Sequence, residues 1–416
     1  MKYSKDTMLL FNLQKYAKLL CLEVIFVFLL VSCHSNNDIE SQSDEVIRKE
    51  LTSDSILTGA QQIYLFEELI HNKNVALVGN QSSIITNEVH LVDTLLSLNY
   101  KLLKVFSPEH GFRGTASAGE HISDSRDEQT GLPLVSLYGD HKKPTKQDLS
   151  GVDVLLFDIQ DVGVRFYTYI STLHYVMEAC AENNIPLIVL DRPNPNGDYI
   201  DGPVLEMENK SFVGMHPIPI VHGMTIGEYA QMINGEYWLK DSVQCKLTVI
   251  PCKNYTHKDR YSLPVPPSPN LKSDLSIRLY PSLCLFESTT VSVGRGTETP
   301  FEVYGHPDFP KSDFSFIPQS RSGASKPKHE NKRCYAFKPE LDSDQNSISL
   351  GFFLQAKNLL QGKTLINKKS SFIRLAGTVK LYDQIMSGLS ESEIRETWKA
   401  DLENFDQRRK KYLIYD

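Results

Sequence analysis

The side chains of this chain most able to do chemistry are carboxylates placed just after short apolar runs. Glu109 and His110 follow the run at 102–106. Asp158, Gln160 and Asp161 stand at the end of the run at 152–159, with Arg165 and Tyr167 shortly after. Asp191, Arg192 and Asn194 follow the run at 186–190, and Glu120 lies on the polar stretch behind Glu109. If each run is a strand of one parallel sheet, these side chains gather at the carboxyl ends of the strands, where open α/β sheets bind ligands. Carboxylates, Arg, Tyr and His together suit sugar chemistry. One carboxyl group protonates a glycosidic oxygen, and a second acts as nucleophile or activates water. Glu109, at a strand end between Pro108 and Gly111, is the candidate acid. Glu120 is the preferred second carboxylate, with Asp158 and Asp161 as rivals.

Other chemistries lack their residues. No G-x-G-x-x-G follows the first apolar run, so no dinucleotide cofactor is expected. No G-x-S-x-G elbow is present, which weighs against a serine amidase or esterase. There is no H-E-x-x-H, and Glu109, His110, Glu120 and His121 match no standard ligand spacing, so no metal is expected. The formal net charge is −7 with no long basic run, a poor match to nucleic acid.

The elements that must position these residues alternate. Strands are expected at 74–79, 102–106, 152–159 and 186–190, and helices at 92–98, 169–182 and 225–239. The last helix starts with a capping box of Thr225 and Glu228. This order argues for an α/β fold, a mostly parallel sheet with helices on both faces, over 56–240. The alternation weakens after residue 240, and 241–416 reads as a smaller α+β auxiliary domain. Residues 318–332, rich in Ser and Lys, read as a mobile surface loop.

The first residues read as a secretory leader rather than as part of the fold. Lys2, Lys5, Lys15 and Lys18 precede an apolar run at 24–31, which is too short to span a bilayer. Leu30-Val31-Ser32-Cys33 resembles a bacterial lipobox. That resemblance implies cleavage before Cys33 and its acylation, with 33–55 as a flexible tether. Loss of 1–32 removes four lysines and two acids, taking the net charge from −7 to −9. A lipid-anchored place in the cell envelope, periplasmic or outer-membrane associated, is expected. Cys180, Cys245, Cys252, Cys284 and Cys334 would remain, mostly as buried small hydrophobes.

Short stretches in a fixed order extend this reading. They are 106–114 (FSPEHGFRG), 130–133 (TGLP), 136–139 (SLYG), 157–163 (FDIQDVG), 165–169 (RFYTY) and 191–195 (DRPNP). Then follow 222–225 (HGMT), 266–270 (PPSPN), 294–297 (GRGT), 300–302 (PFE) and 408–415 (RRKKYLIY). Together they resemble the NamZ-type exo-β-N-acetylmuramidases. The resemblance implies a Rossmann-like domain with a C-terminal auxiliary domain. It also implies release of N-acetylmuramic acid from the non-reducing ends of peptidoglycan fragments in cell-wall turnover, with no nucleotide and no required metal. Glu109, Glu120 and Asp158 are then the catalytic candidates. His110, Gln160, Asp161, Arg165, Tyr167, Asn194, His222, Arg295 and Glu302 are the candidates for holding the sugar. Arg165 is the first choice for the lactyl carboxylate, which a guanidinium fork matches, and Arg113, Arg192 and Arg295 are rivals. The chain departs from the family pattern at Glu287-Ser288-Thr289 and at Val293, where an acid is common. An alternative of another class is an envelope lipoprotein that binds muropeptides without cleaving them.

Overall fold

Alternate residues along each apolar run face opposite layers, and this decides the architecture. The structure is a computed structural model that describes residues 55–86, 89–109, 111–113, 125–341 and 346–416. The leader, Cys33 and most of the tether lie outside the described residues, as do His110, Glu120 and His121. Ile56–Asp416 forms one compact unit.

Its centre is a seven-stranded sheet. In chain order the strands are β1 (Val75–Gly79), β2 (Leu102–Ser107), β3 (Ser125–Arg126), β4 (Pro133–Ser136), β5 (Val154–Asp158), β6 (Leu187–Leu190) and β7 (Leu247–Ile250). Their spatial order is β3-β4-β2-β1-β5-β6-β7, and every pairing is parallel except β3 with β4. The expected α/β fold with a mostly parallel sheet is therefore present.

Burial on both faces explains the near-continuous apolar strands. Ala76, Val78, Leu155, Phe157, Leu187 and Val189 pack on one side with helices Tyr169–Asn183 (α2) and Ile226–Gly235 (α3). Val75, Leu77, Val154, Leu156, Ile188 and Leu190 pack on the other with helix Leu91–Ser97 (α1). Each fully buried Val or Leu side chain contributes roughly 1.5–3 kcal/mol.

α3 opens with the expected capping box of Thr225 and Glu228. It ends at Gly235, short of 239, because Tyr237 takes a left-handed φ of 56° and turns the chain. β7 lies beyond residue 240, where alternation fades, because Leu247, Thr248 and Val249 are only partly buried or exposed at the sheet edge.

After β7 comes helix Asp274–Leu283 (α4), then a three-stranded antiparallel sheet of Tyr304–His306, Cys334–Phe337 and Ser315–Phe316 in that order. Helices Gly351–Leu359 (α5), Lys369–Ala376 (α6), Val379–Ser387 (α7), Glu391–Glu396 (α8) and Lys399–Arg409 (α9) complete the chain. Phe353, Phe372, Leu381 and Phe405 join the same core as α2 and α3. The segment 318–332 is anchored rather than loose. Gln319 N–H donates to Gly296 O at 2.9 Å, Asn331 N–H to Pro318 O at 2.8 Å, and Lys328 reaches inward. Its polar composition concealed these backbone contacts. Cys180, Cys245, Cys252, Cys284 and Cys334 are all buried free thiols.

Candidate active site

β2 and β4 run side by side, with Ser107 opposite Ser136, so the residues just past their ends are neighbours. Glu109 and Tyr138 meet there, and the Tyr138 hydroxyl donates to Glu109 Oε1 at 3.0 Å. The hydroxyl of Thr168, which caps α2 after β5, donates to Glu109 Oε2 at 3.3 Å. Glu109 is thus held from two separate loops on the wall of a cavity of about 330 Å³. That volume suits one sugar ring more than a long chain.

The remaining wall is aromatic and polar. Tyr167 and Tyr169 contact edge to face at 4.9 Å, and both hydroxyls donate to Pro267 O, at 2.8 and 3.3 Å. They pin the 266–270 stretch beside the sheet, and Asn270 and Ser268 of that stretch also line the cavity. Phe166, Tyr280 and Phe301 close the apolar side. Phe301 holds a left-handed φ of 62°, an unusual conformation for a bulky residue.

A second carboxylate, Glu287, enters from the turn Cys284–Ser288 that follows α4. Arg295 Nε donates to Glu287 Oε1 at 3.1 Å, and its guanidinium lies 5.0 Å from the Phe301 ring centre. Burial alone would raise the Glu287 pKa. Arg295 and Lys328 outweigh it and hold the carboxyl below its ordinary value, so it is ionised at neutral pH. Gly294 and Gly296 flank Arg295 with φ of 78° and 83°, and a Cβ on Gly296 would sit 2.6 Å from Gln319 O. Only glycine fits there, which accounts for the Gly-Arg-Gly sequence.

Of the residues expected from sequence, this cavity brings together Glu109, Tyr167 and Arg295. His110 and Glu120 lie outside the described residues. The others are turned elsewhere. Asp158 is fully buried and accepts two bonds from Arg192, at 2.6 and 3.0 Å, so its carboxylate is spent on an internal ion pair. Arg165 is fully buried and donates to the carbonyls of Pro203, Ile218, Leu375 and Ala376 at 2.7–3.0 Å. Arg113 forks onto Asp127 at 3.1 and 2.9 Å. Of the four arginines considered for a substrate carboxylate, Arg295 is the one on the cavity wall. Gln160 donates to Asp161 O and Pro193 O, and Asn194 donates to Met224 O. Glu302 accepts from the Ser273 hydroxyl at the start of α4. Glu287 was not singled out from sequence, although it sits in one of the stretches compared with the family. Its separation from Glu109 along the chain hid the proximity.

Asp161 and His222 form a buried pair, with Asp161 Oδ2 3.9 Å from His222 Nε2. Burial pulls the His222 pKa down to about 3, so the ring is neutral. Burial raises the Asp161 pKa to about 7, against a bond from Gly163 N–H that lowers it. A carboxyl with a raised folded pKa holds its proton more tightly in the folded chain than in the unfolded one. The stability it contributes is therefore full below about pH 4 and is lost as pH rises toward 7, on the order of a few kcal/mol. Asp161→Asn keeps an acceptor for Gly163 N–H and removes the titration. The variant is expected to match the wild type in melting temperature near pH 4 and to exceed it at pH 8. Parallel melting profiles across that range would contradict this account.

With this geometry in view, known proteins place the chain. The family model described as exo-beta-N-acetylmuramidase NamZ, N-terminal, matches residues 75–275, and its C-terminal counterpart matches 278–415. The chain belongs to the NamZ family. The peptidoglycan beta-N-acetylmuramidase NamZ of Bacillus subtilis (strain 168) is 40% identical over 371 residues, covering 84% of this chain and 89% of that protein. Two crystal structures of DUF1343 family proteins from Bacteroides fragilis NCTC 9343 share the fold. One is 44% identical with a TM-score of 0.80, and the other 28% identical with a TM-score of 0.74. Each match covers 87% of this chain, and 99% and 100% of the respective structures. The resemblance read from the short sequence stretches is the family the whole chain supports. The NamZ models meet between residues 275 and 278, inside α4, so Glu109 and Tyr167 come from the N-terminal match and Glu287 and Arg295 from the C-terminal one.

Proposed function

We propose that this NamZ-family chain is a glycoside hydrolase that releases N-acetylmuramic acid from the non-reducing ends of peptidoglycan fragments. The observation that carries the reading is Glu109, held by Tyr138 and Thr168 on the wall of a sugar-sized cavity shared with a second carboxylate. In the reaction Glu109 gives a proton to the glycosidic oxygen as the bond from that oxygen to the anomeric carbon breaks. Water then adds its oxygen to the anomeric carbon and gives a proton to a carboxylate of the site, so that Glu109 ends protonated again, directly or by exchange with solvent. Glu120 remains the second carboxylate expected from sequence, and Glu287 competes with it from the opposite part of the chain. The aromatic wall gives a pyranose its apolar contact, and Arg295 gives the lactyl carboxylate a cationic partner. The test is incubation of the chain from residue 56 onward with N-acetylmuramyl-β-1,4-N-acetylglucosamine. Equal amounts of the two free monosaccharides support hydrolysis. Binding by calorimetry without cleavage would instead favour a muropeptide-binding protein.

The leader and Cys33 support a lipid-anchored envelope enzyme, working where its substrate is made and recycled. In a bacterial host, Cys33→Ser is expected to abolish incorporation of labelled palmitate and to leave the chain out of the membrane fraction. Equal labelling of the variant would remove the anchor from this picture.

A further inference from the structure

Glu287 and Arg295 line a second cavity as well, of about 340 Å³, and its charge is one-sided. Lys326, Lys328 and Lys368 join Arg295 on its wall, so four cations face the single carboxylate of Glu287. Lys328 is fixed in place, its ammonium donating to Phe286 O at 2.6 Å and Val291 O at 3.1 Å. Burial lowers its pKa to about 8, with Lys368 and Arg295 pulling the same way and Glu287 opposing them. Lys368 N–H donates to Ser288 O, which sets this lysine at the start of α6 beside the turn that carries Glu287. Lys328 and Arg295 are partly buried while Lys326 and Lys368 reach solvent at the rim, and like charges gathered on one wall repel one another until an anion enters. His329, next to Lys328, bonds Thr290 O at 2.6 Å and ties this segment to the chain just past the turn that carries Glu287.

We propose that this second cavity is the subsite for the carboxylate-bearing ether arm of the substrate sugar, and that Lys328 and Lys368 join Arg295 in selecting an acidic over a neutral hexosamine. This rests on the muramidase reading, in which a ring beside Glu109 lies against the wall that the two cavities share. A three-carbon arm ending in a carboxylate is the feature that separates N-acetylmuramic acid from N-acetylglucosamine, and the cations are placed to read it. Charge-assisted bonds of this kind are about twice as strong as neutral ones.

The experiment is calorimetric titration of N-acetylmuramic acid and N-acetylglucosamine into the wild type, Lys368→Gln and Lys328→Gln. The wild type is expected to prefer the acid by at least about tenfold, and each variant to shrink that preference by about three- to tenfold. An unchanged preference in folded variants, or none in the wild type, overturns the proposal. Lys368 is exposed, so Lys368→Gln decides the matter even if Lys328→Gln fails to fold. A wild type that selects the acid but cleaves no disaccharide would overturn hydrolysis and leave this subsite standing. Cleavage combined with an unchanged preference in the variants would do the reverse.

Discussion

Glu109→Gln is expected to lower kcat on the muramyl disaccharide by about 10²–10⁴-fold, with KM nearly unchanged. The substitution is close to isosteric. Tyr138 can still donate to the amide oxygen and Thr168 can accept from the amide nitrogen, so the loop should hold its shape. What is lost is the proton for the departing sugar oxygen. An alcohol leaving group needs that proton, whereas a nitrophenolate does not. The loss should therefore be much smaller on a nitrophenyl muramide than on the disaccharide. An equal loss on both substrates would mean that Glu109 acts by shaping the site and not as an acid. Unchanged turnover on the disaccharide would remove it from the mechanism.

Arg165→Leu is expected to destabilise the chain by about 3–5 kcal/mol, a fall in melting temperature of roughly 4–7 °C. The guanidinium is fully buried and supplies donors to four backbone carbonyls. Backbone acceptors cannot be mutated away with their partner, so a leucine would leave them unpaired at a cost of about 1–3 kcal/mol for a buried group. Burial already pulls the Arg165 pKa down to about 9, yet it stays charged at pH 7. Two of the four carbonyls, those of Leu375 and Ala376, end α6, and Leu375 lines the cavity with Glu109. Arg165 is thus a positioning residue for that wall. Gly377 next to it has a φ of 80°, and a Cβ there would sit 2.6 Å from the guanidinium. Arg165→Lys should recover only part of the stability, because an ammonium cannot span four acceptors as a planar fork does. Denaturant unfolding of the three proteins checks this, and a Leu variant as stable as the wild type would contradict it.

The two substitutions show where the sequence was informative and where it misled. Arg165 and Asp158 have the residue types and the strand-end positions of site residues. In the fold, the first is consumed by backbone carbonyls and the second by Arg192. Their spacing in the chain is the same whether a polar group faces a cavity or another buried group. Glu109 was legible because β2 and its loop deliver it locally, and its contact with Tyr138 follows from the neighbouring ends of β2 and β4, whereas Thr168 reaches it from beyond β5, across β1. Lys328 was hidden because its stretch reads as a polar loop, and its inward contacts are to the carbonyls of Phe286 and Val291, which no composition reports.

The sequence by itself determined the parallel α/β sheet, the family and the strand-end carboxylate at Glu109. Those properties follow from continuous apolar runs alternating with helical spacing, local turns and short ordered stretches, all of which act over a few residues. Only the tertiary structure decided that Glu287, Arg295, Lys328 and Lys368 stand around adjoining cavities, and that Arg165, Asp158 and Asn194 serve the interior. Cavity walls are built from residues far apart in the chain, and a buried polar group reveals its role only through the partner that satisfies it.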